Sequence, residues 1–259
     1  MTQMVLRWGM AVWLVGAATV LAEPASPRKG DAGPTLDALI ETEKTARLLA
    51  VLLDSGRSVI NENQPLFDGA SHDSKEFTAE VFERQLIEVF RSRSSVDLNH
   101  LDTARLSAKA TRLLQALVSV SKRVVTEAEG QADRSDGGRT GFIPAVFGAR
   151  TAAQFTKQTG VRLKQTSLAP RNPLNAPDPF EQAALRDFSD PSYPREKTIT
   201  EITVRSGALR LMFPLYATRH CLDCHGEPKG AIDKMGYPKE GLQLGHNAGA
   251  ISVVIPIKK

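Results

Sequence analysis

Apolar side chains recur at three- and four-residue intervals between residues 36 and 60, at Leu36, Leu39, Ile40, Leu49, Leu52, Leu53, Val59 and Ile60. That spacing puts them on one face of a helix. A polar stretch (NENQP, then DGASHDSK) interrupts the pattern, which resumes over 78–93 with Val81, Phe82, Leu86, Val89 and Phe90 on a common face. Thr78 is suited to cap this second helix, and Phe77 and Phe82 stand at the two positions of a hydrophobic staple around it. The whole arrangement then returns 65 residues later. ARLLAVLLDSGRSVI (46–60) aligns without a gap with TRLLQALVSVSKRVV (111–125), and Phe77, Val81, Phe82, Phe90, Val96 and Leu98 recur as Phe142, Val146, Phe147, Phe155, Val161 and Leu163. Pro144 opens the repeated helix, where a missing N–H costs nothing. Helical periodicity alone aligns Leu with Val by chance, but ungapped recurrence of three phenylalanines is hard to obtain that way. The pattern therefore reads as an internal duplication forming a paired helical layer.

From Val161 the period changes. VRLKQTSL, EKTITEITV, ALRLMFPLYA and GAISVVIPI are β-branched or alternating runs of strand length, and Gly207 between the second and third marks a hairpin. One helix interrupts them over 178–188, with Asp178 as N-cap, Pro179 in the first turn and Glu181 placed to close a capping box. The expected fold class is α+β: a duplicated helical layer followed by a small antiparallel sheet. The domain boundaries follow as a helical region over 36–110 and a second region over 111–259 that contains the repeated helices and the sheet.

Composition narrows the class. With 41% apolar and 24% charged residues over 259 positions, a disordered, collagen-like or polytopic membrane chain is excluded. The net charge of +4 comes without a polybasic run, which argues against nucleic acid as a partner. Residues 1–22 have the form of an export signal: Arg7 is the positive end, an apolar stretch runs from Trp8 to Leu21, and Val20-Leu21-Ala22 reads as a cleavage site. The apolar run falls short of the ~20 residues that span a bilayer; an uncleaved anchor is the competing reading. A Pro/Gly linker occupies 23–35. No later segment is apolar enough to span, so the mature chain is expected to be periplasmic.

Both cysteines lie in one run, Cys221-Leu222-Asp223-Cys224-His225. Two thiols three apart, with histidine directly after the second, suit covalent attachment of a single haem c. The thiols add across two vinyl groups, and the imidazole lies beneath the iron. A thioredoxin-like dithiol would want a βαβ setting, and a zinc site would need further ligands where only His220 is near. A structural disulfide between Cys221 and Cys224 has no use for His225. The sixth iron position is less defined. His246, in the Gly-rich GLQLGHNAGA loop, leads the candidates, and Met235 comes second. His72, His100, His220 and Met212 are the remaining His and Met side chains considered, and an open or water-bound site competes with all of them. Arg171 lies in a proline-rich stretch (169–179) and is a candidate partner for a haem propionate through its two-pronged guanidinium; a rigid connection leading to the helix at Asp178 is the plainer reading.

TSLAPRNPLNAPDPFE (166–181), PLYATRHCLDCHGEPKG (214–230) and GAISVVIP (249–256) resemble a family of exported single-haem c-type proteins with a PAS-like fold. That family was long catalogued as a domain of unknown function and occurs both alone and as the sensor part of bacterial histidine kinases. The resemblance is specific over 161–259 and weaker over 111–160, and 36–99 looks like a second copy of the helical part. It implies thioether bonds at Cys221 and Cys224, an axial His225, and a PAS-like sheet holding haem against the helices before it. Some members supply a cysteine as sixth ligand from the helix before the sheet. The corresponding region here, 142–146, has no cysteine, so that ligand does not carry over.

Three functions fit these features. A sensor would couple haem redox state or a bound diatomic ligand to a separate signalling protein, because the chain carries no kinase or cyclase output. An electron carrier would need one haem, an exposed edge and a redox partner protein. An enzyme such as a peroxidase would need a distal acid-base group that no spacing identifies. The expectation is a protein acting through the redox state of one iron, more a carrier or sensor than an enzyme.

Overall fold

The computed structural model describes residues 34–68, 77–132, 141–203 and 207–257. The expected export signal, nearly all of the linker and His72 lie outside the described residues. Four long helices come first: α1 (Leu36–Glu62), then after the short α2 (Gln64–Asp68), α3 (Ala79–Ser94), α4 (Ala108–Ala132) and α5 (Pro144–Thr159). Four strands follow, β1 (Arg162–Thr166), β2 (Ile199–Thr203), β3 (Ala208–Tyr216) and β4 (Asn247–Pro256), with α6 (Pro179–Ser189) after β1 and α7 (Arg219–His225) after β3. The chain is α+β in the order expected from its patterning.

The repeat is visible in local chemistry as well as in spacing. The bounds of α5 are those of α3 moved on by 65 residues. Both helices end on a left-handed residue, Ser95 (φ 58°) and Gly160 (φ 73°), whose N–H closes onto Arg91 and Thr156 respectively. The last helical hydroxyls behave alike: Ser94 Oγ donates to the Phe90 carbonyl and accepts from Val96 N–H, as Thr159 Oγ1 does with Phe155 and Val161. The Thr78 hydroxyl caps α3 by accepting from Val81 N–H (3.3 Å). Phe77 meets Phe82 edge-on at 6.4 Å, and Phe142 meets Phe147 edge-on at 6.4 Å. Phe82 and Phe147, counterparts in the two copies, also touch one another at 5.3 Å between ring centroids. The two copies thus pack directly against one another, α1 on α5 and α3 on α4 as well as through this ring pair.

The two copies are not used equally. The run LLAVLL (48–53) is buried throughout, because α1 packs against α3, α4 and α5 on one side and against β3 and β4 on the other. Its counterpart LLQALV on α4 turns Gln115 to solvent. The close approach of α1 to its neighbours depends on Gly56, where a Cβ would stand 2.7 Å from Phe147 Cε1.

The sheet is antiparallel, in the order β1-β4-β3-β2. Gly207 makes the β2–β3 turn with φ 57°, as its position between two strand-like runs predicts. Along β3 and β4 the two-residue alternation sends Leu209, Leu211, Leu215, Ile251, Val253 and Ile255 into the helical core. Met212 and Ala250 point to the other face, beneath Ala184, Leu185 and Phe188 of α6. The α6 capping box is formed as predicted: Asp178 accepts from Glu181 N–H and Glu181 accepts from Asp178 N–H, each at 3.0 Å. Among the described residues no helix is long and apolar enough to cross a membrane.

Candidate functional site

The segment 219–225 forms about two turns of helix, α7, entered from extended backbone at Thr218. Three-residue spacing on a helix places two side chains on neighbouring turns of one face, so Cys221 and Cys224 point the same way. Both thiols are free and half-buried, and the Thr218 hydroxyl lies 3.3 Å from Cys221 Sγ. Burial pushes the Cys224 thiol up. The helix stops at Gly226, whose N–H closes on the Leu222 carbonyl at 2.9 Å. A Cβ there would sit 2.5 Å from that carbonyl oxygen, so only glycine permits the chain to leave the helix directly after His225.

His225 is not left to rotate. Its Nδ1 lies 2.7 Å from Glu240 Oε2. Glu240 is held in turn by Arg171, whose Nε donates to Oε1 at 2.6 Å and whose Nη2 donates to Oε2 at 3.0 Å. The same guanidinium donates to Asp233 Oδ2 at 2.6 Å and to the Cys224 carbonyl at 2.9 Å, and it stacks over the Tyr237 ring at 5.2 Å. Asp233, fully buried at its side chain, uses its other oxygen to accept from the N–H groups of Met235 (2.8 Å) and Tyr237 (2.9 Å). Arg171 therefore ties the proline-rich segment, α7 and the loop after it into one unit. The guanidinium singled out as a propionate partner is committed to two carboxylates and a carbonyl of its own chain.

The electrostatics match this geometry. Burial alone would push Asp233 up, but the Tyr237 and Met235 amides and the Arg171 guanidinium outweigh it and hold the carboxyl down at about 2. Burial likewise opposes the charge on Glu240, and hydrogen bonds from Arg171 and His225 overcome it, so its carboxyl also lies low. A folded value below the unfolded one means stability present above the unfolded value of 3.8 and lost as the pH falls towards about 2. We expect Asp233 to contribute about 2 kcal/mol in this way. Urea midpoints of wild type and Asp233→Asn, measured between pH 7 and pH 2, should converge in acid. Parallel curves would remove Asp233 from the account.

The other candidates are dispersed. His246 is exposed; its loop runs back alongside α7, with Leu242 N–H on the His225 carbonyl at the helix's end (2.7 Å) and Ala217 N–H, just before the helix, on the His246 carbonyl (2.9 Å). Met235 is half-buried, and its Cε lies 3.7 Å from the Cβ position of Gly141, directly before the 142–146 region. Met212 is fully buried beneath α6 and is not available to a group at α7. His100 and His220 are solvent-exposed. Reasoning from the sequence missed Glu240 and Asp233. The rule that a metal-binding histidine donates its second N–H to a carboxylate was available to direct attention to the acidic residues of the loop after His225.

A planar apolar macrocycle needs apolar surface beside its attachment point. Of the eight large hydrophobic residues exposed among the described residues, five (Leu168, Leu174, Ile232, Tyr237 and Leu244) lie in the two segments fastened to α7. Paired thiols, a histidine held through Nδ1 and exposed apolar side chains in the segments fastened to α7 are the residue types that a haem needs.

A family model described as Tll0287-like matches residues 37–256. Among solved structures, that of the cyanobacterial heme-protein Tll0287 is similar, at 20% sequence identity and a TM-score of 0.38, covering 56% of this chain and 96% of that one. No curated protein matches the chain.

Proposed function

From the premise that the chain belongs to the Tll0287-like family, we propose that it is an exported, periplasmic protein with one covalently attached haem c, acting through the redox state of the iron. The observation that carries this reading is the joint placement of Cys221, Cys224 and His225 on α7, with His225 pinned through Nδ1. The family's namesake is a heme-protein, which supports the cofactor, and the signal-like residues 1–22 support export. Each thiol would add across a vinyl C=C, its sulfur forming one bond and its hydrogen passing to the other carbon, with no net oxidation. His225 would hold the iron through Nε2. When bound, the haem supplies a one-electron couple and a site where a diatomic ligand binds. Glu240 and Arg171 orient the imidazole, and the exposed apolar side chains of the neighbouring segments would border the macrocycle, on what we read as a PAS-like platform. His246 and Met235 remain the sixth-ligand candidates, and a redox partner or separate signalling protein would receive the output.

An absorption spectrum of protein matured with the cytochrome c assembly machinery tests this, recorded oxidised, reduced, and reduced under carbon monoxide. Covalent haem is expected in wild type and is expected to disappear in Cys221→Ser/Cys224→Ser. Haem absent from well-matured wild type would sink the proposal. A low-spin spectrum indifferent to carbon monoxide selects electron transfer, and ready carbon monoxide binding selects sensing.

A further inference from the structure

Glu240 has a function beyond tethering a loop. We infer that Glu240 is a positioning residue that fixes the tautomer of His225 and lowers the iron's reduction potential, with Arg171 and Asp233 holding it in place. This inference rests on the haem reading above. An ionised carboxylate has no proton to give, so the 2.7 Å contact requires His225 Nδ1 to carry the hydrogen, and in the neutral ring that leaves Nε2 with its lone pair. A carboxylate accepting from Nδ1–H makes Nε2 a stronger electron donor to a metal. Stronger donation favours the oxidised iron.

Such a pairing works only if the carboxylate cannot turn away. Arg171 grips both oxygens of Glu240 through separate nitrogens, which defines the plane of the carboxylate. Asp233 balances the guanidinium charge from the other side and is itself locked by two backbone amides. The Cys224 carbonyl takes a further N–H from the same guanidinium. The chain of contacts thus runs from the buried turn at Asp233 through Arg171 and Glu240 to the imidazole, and it includes the backbone of one haem-attaching residue. Glu240 is separated from His225 by a loop that returns to the helix through Leu242 N–H on the His225 carbonyl, so the pairing is built by tertiary structure.

The test has two parts. Haem-free protein is examined by long-range nitrogen–proton NMR of His225 at a pH where the ring is neutral. The Nδ1–H tautomer is expected, against the usual preference of free histidine, and an Nε2–H tautomer would overturn the inference. Haem-loaded wild type and Glu240→Gln are then titrated electrochemically. Gln keeps the shape and an acceptor for Nδ1–H but lacks the charge. We expect the reduced-to-oxidised ratio at fixed potential to rise about tenfold, which for one electron is about 59 mV. An unchanged potential in fully loaded, His-ligated Glu240→Gln would overturn it. Wild type that never takes up haem would instead sink the haem reading, and the tautomer would still decide whether Glu240 orients the imidazole.

Discussion

Truncating Phe147 to alanine is expected to destabilise the protein by about 4 kcal/mol, within the range of roughly 3–5 for a fully buried phenylalanine. Phe147 has no exposed surface and lies where the two copies meet, against Phe82, Phe142 and the Gly56 turn of α1. Groups from α1, α3 and the entry to α5 surround it, so the void left behind cannot be closed by one neighbour moving in. Total stabilities of ~5–15 kcal/mol make this a large fraction of the whole. The urea midpoint measures it. A companion variant sharpens the result. Gly56→Ala alone should destabilise, because its Cβ would collide with the Phe147 ring at 2.7 Å. Added to Phe147→Ala, the same methyl enters the void and should cost little or nothing. Strict additivity of the two changes would show that the ring and the glycine are not coupled.

Glu181→Ala is the second large effect, expected at about 3 kcal/mol, because removing one partner of a buried ion pair leaves the other uncompensated. The Glu181 side chain is completely buried and accepts from Lys164 Nζ at 2.6 Å and from Asp178 N–H at 3.0 Å. Asp178 in turn pairs with Arg210, which reaches across from β3. Alanine would remove the Lys164 partner and half of the capping box together. Lys164 retains some exposure, which places the estimate at the lower end for buried pairs. Glu181→Gln keeps both acceptor positions open to one amide oxygen and should lose about half as much. Thermal or urea unfolding ranks the three proteins: equal stability of the Ala and Gln variants would argue that the acceptor without its charge contributes nothing, and equal stability of wild type and Gln that the charge contributes nothing.

The features legible in the sequence are those decided within a few residues. The Asp178 capping box, the Thr78 cap with its phenylalanine staple and the Gly207 hairpin each depend on neighbours along the chain, and each appears as expected. The strand predicted over 196–204 begins later, at Ile199, because Lys197 N–H is taken by the Pro194 carbonyl in a turn (3.0 Å). Contacts across long sequence separations are harder to read. Nothing near Arg171 announces that its guanidinium would serve Glu240, 69 residues away, instead of an external anion. Met212 is an available ligand by composition, and only the strand alternation under α6 shows that it is enclosed. The uninterrupted apolar run of α1 did carry a readable sign: a helix apolar on every side is one covered on every side.

The position of β4 has a consequence for how the molecule is completed. It is the last element in chain order, yet it lies inside the sheet, joining β1 on one edge to the β2–β3 hairpin on the other. A chain that appears N-terminus first can pair its helices and close the hairpin early, as these contacts are comparatively local. The two parts of the sheet then have nothing to bridge them until residues 247–256 arrive. The segment bearing Cys221 and Cys224 is therefore made while the two parts of the sheet are still unjoined, and β4 completes the sheet afterwards.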